Sequence, residues 1–350
     1  MNSDLMHKAV FTSNVFEEMS NFLKDNYSDF KKVVLIDENV NEIWGEKFLV
    51  EVEPLFEAEV IVIPAGEESK DIEICKQIWA TLLSYEIPRK SVMINIGGGV
   101  TTDLGGFIAS TYKRGIDFIN IPTSLMAQVD ASHGGKTGID FSGLKNVIGT
   151  FELPKAVIVD TQFLETLPEV EILSGYAEML KHGLIDSTNL WERILDSKGD
   201  KDKIVGLVKE CANIKYEIVN NDIKESGIRK VLNLGHTIGH GIESFYLESG
   251  KPITHGTGVA WGIVFETKLA SKKGLISDDD FELVKKGILS IYPLPALAEL
   301  NLEKILTYIQ NDKKNDADQV KMVLLKEIGE LEIDVVCNAE EIEEAITSTY

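Results

Sequence analysis

The chain has 350 residues, 44% of them hydrophobic, which is enough for two domains that each bury a sizeable core. Its 57 acidic and 35 basic side chains give a net charge of −22, which argues against nonspecific binding to nucleic acid or to an anionic membrane surface. Three widely spaced cysteines, and the lack of a signal-peptide pattern or a membrane-length apolar run, predict a reduced protein in the cytoplasm.

The first half alternates short β-branched runs with amphipathic stretches. One helix is predicted over 71–87, where apolar positions recur at helical spacing. The predicted strands are residues 31–38, 59–66, 91–99, 117–124 and 155–161. This alternation predicts a mostly parallel sheet with helices on both faces.

After about residue 168 the pattern becomes mostly helical. A strand pair is predicted only near the end, over 321–336. The predicted helices are residues 173–185, 203–219, 235–246 and 255–274. We therefore expect an α/β domain over 1–168 and a mostly helical domain over 169–350. The acidic runs at 276–282 and 340–344 are predicted to be solvated faces and helix starts.

The segment "NIGGGVTTDLGGF" follows a predicted strand and opens a helix. Glycines let the backbone approach a ligand closely, and a helix N-terminus attracts phosphate. The segment does not fit the GxGxxG fingerprint of a Rossmann domain, so nucleotide binding and a tight strand–helix turn both stay open. Asp37 and Asn39 end an earlier strand, where a carboxylate could accept hydrogen bonds from ribose hydroxyls.

The segment "DASHGGKTGIDFSGLKNVIG" places Lys136, Lys145 and Asn146 in what reads as a loop rich in Gly, Ser and Thr. Ammonium groups on a flexible backbone suit a phosphate or a carboxylate. Ordinary surface lysines are the alternative.

Two histidines stand four residues apart in "RKVLNLGHTIGHGIES", which reads as the opening of one helix. That spacing places His236 and His240 on one helix face. Threonine follows the first histidine, so the segment is not the HExxH motif of zinc proteases. A catalytic metal site needs about three protein ligands, and Glu178 and His255 are further candidates among which spacing alone does not choose.

Taken in order, the motifs resemble those of the 3-dehydroquinate synthase family, within the sugar-phosphate cyclase superfamily. They extend from about residue 37 to residue 314. The matching segments are "PAGEESK", "GGGVTTDLGGF", "TYKRG", "PTSLMAQVDASHGGKTGID", "LKNVIGTF", "FLETLP", "AEMLKHGLI", "RKVLNLGHTIGHGIE", "HGTGVAWG" and "DKK" at 312–314. The resemblance implies a Rossmann-like α/β domain that binds NAD, a mostly α-helical domain that binds a metal, and a homodimer.

The resemblance also implies a reaction. In this family, 3-deoxy-D-arabino-heptulosonate 7-phosphate (DAHP) is converted to 3-dehydroquinate and phosphate, a phosphorus–oxygen lyase step of the shikimate pathway to chorismate and the aromatic amino acids. The implied steps are transient oxidation by NAD, β-elimination of phosphate, reduction, and intramolecular aldol closure. NAD is regenerated in each turnover.

The resemblance assigns roles to individual residues. It implies that Glu178, His236 and His255 bind Zn²⁺ or Co²⁺, a donor set that suits either ion. It implies that the substrate is bound by Lys136, Asn146, Lys181, Lys215, Arg229, Asn233, His240, either Lys313 or Lys314, and Arg114 from the partner subunit. It implies that NAD is bound by Asp37, Asn39, Glu67, Lys70, Gly98, Gly99, Val100, Thr101, Thr102, Asp103, Thr123, Ser124, Asp130, Lys136, Lys145, Phe163 and Thr166. The resemblance gives no role to His133.

Three alternatives remain. Another NAD- and metal-dependent sugar-phosphate cyclase would share most of the site, but Lys215 and Arg229 would face a substrate without a carboxylate at an energetic cost. A metal-dependent polyol dehydrogenase would accumulate NADH and would leave the phosphate-binding lysines without a purpose. A non-catalytic binding protein would be expected to have lost some of these residues.

Overall fold

The computed structural model describes residues 8–142, 144–310 and 319–350. The candidate phosphate ligands Lys313 and Lys314 lie outside the described residues. Internal contacts divide the chain into two compact units, with the boundary between Leu167 and Pro168.

The first unit is built on a six-stranded sheet in which every adjacent pair is parallel. It confirms the five predicted strands and adds a sixth at the start of the chain. In chain order the strands are β1 (Lys8–Thr12), β2 (Lys31–Asp37), β3 (Glu59–Ile63), β4 (Ser91–Gly97), β5 (Asp117–Pro122) and β8 (Ala156–Asp160), while a separate hairpin comprises β6 (Lys136–Phe141) and β7 (Leu144–Phe151). Their order across the sheet is β1-β8-β5-β4-β2-β3.

Helices cover both faces of this sheet, as predicted. Alternate residues of β2 enter different cores: Val34 and Ile36 pack on the side of the first helix, whereas Val33 and Leu35 pack on the opposite side. The α-helices are α1 (Val15–Tyr27), α2 (Glu38–Val40), α3 (Glu46–Glu51), α4 (Ile72–Ser84), α5 (Gly99–Thr111) and α6 (Leu125–Val129). The π-helical segment is Asn41–Gly45, and the 3₁₀ segments are Glu53–Leu55, Glu67–Ser69, Tyr112–Arg114, Ala131–His133 and Thr161–Glu165.

The strand order contains a switch point. From β2 the chain goes to β3 on one side, and then crosses back to β4 on the other side of β2. The carboxyl ends of β2 and β4, at Asp37 and Gly97, are therefore neighbours. In open α/β sheets, ligands bind just beyond such a point.

The lysine-rich segment predicted as a loop is instead an antiparallel hairpin, β6–β7. Its glycines are part of the pairing. Gly138 lies opposite Gly149, and a Cβ on Gly149 would lie 2.2 Å from the carbonyl oxygen of Thr137. The prediction failed because glycine is typical of loops, whereas here it lets the two backbones approach closely.

The second unit is mostly helical and ends with a strand pair and a final helix, which confirms the prediction for this half. The α-helices are α7 (Glu169–Asp186), α8 (Thr188–Ser197), α9 (Lys201–Asn221), α10 (His236–Glu248), α11 (His255–Lys272), α12 (Asp278–Leu289), α13 (Leu302–Gln310) and α14 (Ala339–Thr347). The antiparallel strands are β9 (Val320–Glu327) and β10 (Glu330–Cys337), and shorter 3₁₀ segments are Ile228–Asn233 and Leu297–Glu299. Within the described ranges, every helix is too short or too polar to cross a membrane.

Glycines allow α10 and α11 to pack with almost no space between their backbones. A Cβ on Gly262 would lie 1.9 Å from the carbonyl oxygen of Gly235, and one on Gly239 would lie 2.7 Å from that of Gly258. Residue numbers rise along one helix as they fall along the other, so the two helices run in opposite directions. Both helices begin with a histidine.

The segment predicted to open one helix is divided in two. The 3₁₀ turn that holds Arg229 ends at Asn233, and α10 begins at His236. Between them Gly235 has a φ of +79°, a left-handed conformation that glycine adopts without steric cost. Arg229 and Asn233 therefore do not lie on the helix that carries His236.

Candidate functional site

One glutamate and two histidines meet in the second unit. The Oε1 atom of Glu178, on α7, lies 3.4 Å from Nε2 of His236 and 3.3 Å from Nε2 of His255. Glu178 is fully buried, and both imidazoles are half-buried. One carboxylate and two imidazoles form a donor set that zinc-type catalytic sites use. The residues present therefore fit a divalent metal.

Local sequence explains where the two histidines stand. Thr254 caps α11, since its hydroxyl accepts a hydrogen bond from the backbone N–H of Thr257, and His255 is the first helical residue. Gly235 has no side chain with which to cap α10. Glu266 on α11 supplies the missing acceptors, taking hydrogen bonds from the N–H groups of Gly235 and Ile238.

His240 belongs to the same group of side chains. Its ring centroid lies 5.2 Å from that of His236 and 5.7 Å from that of His255. One ring nitrogen from each of the three residues lies within 4.8 Å of the other two. We call these three residues the histidine cluster. The Glu178 carboxylate faces His236 and His255, the pair that the family resemblance assigns to the metal.

The electrostatic surroundings differ between the two histidines beside Glu178. Burial and the neighbouring ammonium group of Lys181 lower the pKa of His236, which favours its neutral, metal-binding form. Burial also lowers the pKa of His255, but its hydrogen bonds with Glu178 and Glu243 outweigh that effect and raise the pKa to about 9. Lys181 is buried, and its Nζ lies 2.5 Å from Oε2 of Glu178.

Each of these two histidines has an acceptor at its other ring nitrogen. The Nδ1 atom of His236 lies 3.1 Å from the carbonyl oxygen of Leu234, and Nδ1 of His255 lies 3.2 Å from Oε2 of Glu243. The sequence analysis did not select Glu243. The signal was present, because Glu243 follows His236 by seven positions, which is two helical turns.

Two of the predicted substrate residues in this unit are buried cations. Arg229 is 1% exposed, and its guanidinium donates a hydrogen bond of 2.6 Å to the carbonyl of Ile223. Lys215 is buried on α9, the helix that packs against the segment carrying Arg229. The Asn233 amide donates to Oε1 of Glu225 at 2.5 Å. The family resemblance assigns Lys215, Arg229 and Asn233 to the substrate.

In the first unit, the predicted nucleotide segment lies at the switch point of the sheet. Helix α5 begins at Gly99, directly after β4, so its first N–H groups face outward from the strand end. A Cβ on Gly97 would lie 2.3 Å from Oγ1 of Thr101 and 2.8 Å from Oδ2 of Asp37. Burial raises the pKa of Asp37, whose Oδ1 accepts a hydrogen bond from Val40 N. This glycine-lined helix start fits the pyrophosphate of a dinucleotide.

A second polar group in this unit surrounds Lys70, whose side chain is 4% exposed. Its Nζ lies 3.0 Å from Oδ2 of Asp103, and it donates to Oδ1 of Asn146 at 2.5 Å. Burial lowers the pKa of Lys70, but Asp103 and Glu67 outweigh that effect and raise the pKa above its ordinary value. Nζ of Lys145 lies 3.9 Å from Oε1 of Glu67. Predicted cofactor residues and a predicted phosphate ligand, Asn146, thus share one network.

Two of the predicted cofactor residues contact the tryptophan Trp44. Phe163 is buried in the core, where its ring meets Trp44 edge-on at 5.1 Å between centroids. Thr166 accepts a hydrogen bond from Trp44 Nε1 at 3.1 Å.

Other predicted residues stand at the ends of elements near the carboxyl edge of the sheet. Thr123 N donates to the carbonyl of Gly97, Ser124 caps the start of α6, and Asp130 directly follows its last residue, Val129. Asn39 lies in α2, while Gly98, Val100 and Thr102 lie at the start of α5.

Two further predicted substrate residues of this unit, Lys136 and Arg114, are exposed. Lys136 begins β6, and Arg114 lies in a short helical segment with a φ of +69°.

The structure gives His133, for which the sequence offered no role, a structural one. It is fully buried, and its Nε2 lies 2.8 Å from the carbonyl oxygen of Gln128.

Comparison with known proteins matches both halves of the chain to one family. Residues 60–174 match the model described as 3-dehydroquinate synthase N-terminal, and residues 175–315 match that described as 3-dehydroquinate synthase C-terminal. A 3-dehydroquinate synthase of Parabacteroides distasonis is 40% identical over 343 residues, covering 97% of this chain and 96% of the relative. One of Pyrococcus furiosus is 40% identical over 326 residues, covering 92% and 94%.

Solved structures with lower identity share the fold. A 2-deoxy-scyllo-inosose synthase complexed with carbaglucose-6-phosphate, NAD⁺ and Co²⁺ has a TM-score of 0.85 at 24% identity, covering 97% of this chain and 96% of its own. A 2-epi-5-epi-valiolone synthase from Streptomyces hygroscopicus subsp. jinggangensis, with NAD⁺ and Zn²⁺ bound, has a TM-score of 0.86 at 22% identity, covering 100% and 98%. The fold is thus that of the dehydroquinate synthase-like cyclases. The chain belongs to the 3-dehydroquinate synthase family.

Proposed function

We propose that the protein converts DAHP to 3-dehydroquinate and phosphate, as a phosphorus–oxygen lyase of the shikimate pathway in the cytoplasm. The observation that carries this proposal is the meeting of Glu178, His236 and His255 in a chain whose two halves both match the family. The relatives named 3-dehydroquinate synthase cover nearly all of the chain, which supports the same reaction rather than a shared fold alone.

Glu178, His236 and His255 would hold the divalent metal, Zn²⁺ or Co²⁺, the ions present in the two cyclase structures. When bound, such an ion lowers the pKa of a substrate hydroxyl and polarises a carbonyl. Lys181 lies beside Glu178, and its ammonium group would donate hydrogen bonds to substrate hydroxyls. The lowered pKa of His236 favours the neutral imidazole that a metal ligand requires.

The first unit would bind NAD, which takes up a hydride and returns it within one turnover. The backbone N–H groups of Gly98, Gly99 and Val100 would bind the pyrophosphate, because the start of α5 lacks side chains that block the approach. The Asp37 carboxylate would accept hydrogen bonds from the ribose. The network of Lys70 would support this end of the site.

The substrate's two charged ends would be bound by different residues. Arg229 and Lys215 would hold the carboxylate, since a guanidinium can bind it bidentately. His240 would bind the phosphate together with Lys136 and Asn146. The phosphate oxygens would take up a proton during elimination, and His240 would stabilise the protonated phosphate. Arg114 is exposed and would reach this phosphate from the partner subunit of a homodimer.

The experiment compares substrates. The full chain is incubated with NAD⁺ and Zn²⁺ or Co²⁺, and phosphate release is measured from DAHP and from glucose 6-phosphate, which has no carboxylate. Release from DAHP alone supports the proposal. Release from glucose 6-phosphate but not DAHP would assign the chain to a sibling cyclase, and no release from either with metal-loaded protein would refute both.

A further inference from the structure

Glu243 contacts a proposed metal ligand without belonging to the proposed metal set. It lies two turns after His236 on α10, its side chain is 8% exposed, and its Oε2 lies 3.2 Å from Nδ1 of His255. The opposite ring nitrogen, Nε2, lies 3.3 Å from Oε1 of Glu178. The imidazole of His255 is thus held between two carboxylates, one on each side.

Glu243 places a carboxylate acceptor at Nδ1 of His255. With a metal at Nε2, the imidazole would carry its hydrogen on Nδ1, where the Glu243 carboxylate accepts it. Without the metal, Nε2 lies within hydrogen-bond distance of Oε1 of Glu178. His236 is arranged in the same way, but its acceptor is the neutral carbonyl of Leu234. Because its acceptor is charged, the His255 imidazole is the more basic of the two and the stronger electron-pair donor to a metal.

Helix packing holds this carboxylate in place. Glu243 is on α10 and His255 begins α11, and the two helices meet through Gly239 and Gly258. A Cβ on Gly258 would lie 3.6 Å from the Cβ of Glu243, so the start of the Glu243 side chain lies against the backbone of α11. The close approach of the helices therefore brings Glu243 near the start of α11, where His255 lies.

We propose that Glu243 is a positioning residue, which orients His255 through Nδ1 and strengthens Nε2 as a metal ligand. The inference rests on the proposed metal site of Glu178, His236 and His255. It predicts that loss of the Glu243 carboxylate weakens metal binding itself, before any effect on turnover.

The experiment measures the Kd for Zn²⁺ of the metal-free full chain by competition with a chromophoric chelator. Glu243→Gln is expected to weaken binding by about 10- to 100-fold, the usual effect of removing an outer partner of a ligand. The matched control is Glu248→Gln, which removes an exposed carboxylate from the same helix, paired with Lys304 at 2.8 Å. The control should leave the Kd unchanged.

A second pair of variants separates positioning from general destabilisation. His255→Ala lacks a proposed ligand and should weaken Zn²⁺ binding further, so its Kd is measured against a chelator of lower affinity. In that background Glu243→Gln should have no further effect on the Kd, because Glu243 then has no imidazole to orient. An equal loss in both backgrounds would overturn the inference, as would an unchanged Kd in folded Glu243→Gln. If Glu243→Gln does not fold, Glu243→Asp gives the same test, since a carboxylate shortened by one methylene should also weaken binding.

The Kd of the wild-type chain distinguishes failure of the proposed metal site from failure of the inference about Glu243. If wild type binds no Zn²⁺, the proposed metal site fails, and the inference about Glu243 fails with it. If wild type binds tightly and Glu243→Gln binds equally well, only the inference fails.

Discussion

At the scale of single residues, the two histidines of the HTIGH segment have different surroundings. His236 is 3.4 Å from the Glu178 carboxylate and has a carbonyl acceptor behind it, whereas His240 stands one turn further along α10. This difference favours a division of roles, with His236 on the metal and His240 on the phosphate. The spacing of the two residues in sequence did not reveal it.

His240→Ala tests this division. We expect the variant to retain a full equivalent of bound metal, while kcat for DAHP falls by about 10²- to 10⁴-fold, the range for loss of a group that manages proton transfer. Metal content is measured by elemental analysis after gel filtration, beside His236→Ala, which should lose its metal. Metal loss in His240→Ala would instead make the histidine cluster a three-histidine site.

Arg229 provides a second test at this scale. Arg229→Ala should lower kcat/KM for DAHP by about 10- to 200-fold if its guanidinium holds the substrate carboxylate. Arg193→Ala is the control, since Arg193 is an exposed arginine paired with Glu210 at 2.8 Å. Because Arg229 is buried, thermal unfolding of each variant is recorded as well. Unchanged kinetics in a folded Arg229→Ala protein would remove Arg229 from the site.

At the scale of elements, the start of α10 depends on a side chain from another helix. Gly235 gives the chain its left-handed turn but offers no cap, and Glu266 of α11 accepts the N–H groups of Gly235 at 2.6 Å and Ile238 at 3.0 Å. Glu266 is fully buried. The carboxylate therefore links the two helices that carry His236 and His255.

Glu266→Gln should reduce the free energy of unfolding. A hydrogen bond to a charged group contributes about 1.5–3 kcal/mol. The glutamine amide would also point its NH₂ group, a donor, at one of the two backbone N–H groups, which are donors too. We therefore expect a loss of about 2–4 kcal/mol. Urea unfolding of the metal-free protein measures it. Glu248→Gln, on the exposed face of α10, should change stability by less than about 1 kcal/mol. Equal effects of the two substitutions would contradict the proposed link.

The elements differ in how well sequence alone could predict them. The parallel strands were predictable, because strands buried on both faces are nearly continuous apolar runs, as in β4, where every residue is buried. The β6–β7 hairpin was not, since its pairing depends on Gly138 and Gly149 facing each other. Nor was the break before α10, because Gly235 acts together with Glu266, a residue 31 positions later.

At the scale of the whole molecule, the candidate site depends on contacts between distant parts of the chain. Glu178 and His255 are 77 positions apart, yet their side chains are 3.3 Å from each other. Spacing named the candidate residues, and the family resemblance selected among them. Periodicity carries no information about such distances, because they are set by the packing of α7, α10 and α11.

The central claim is that this chain is a cyclase, in which NAD accepts a hydride from the substrate and returns it within one turnover, and not a dehydrogenase. The most direct measurement follows phosphate and NADH in one reaction of metal-loaded protein with DAHP and NAD⁺. The account predicts one phosphate released for each DAHP consumed, with no net NADH. NADH accumulating in step with substrate loss, or no phosphate release, would contradict it.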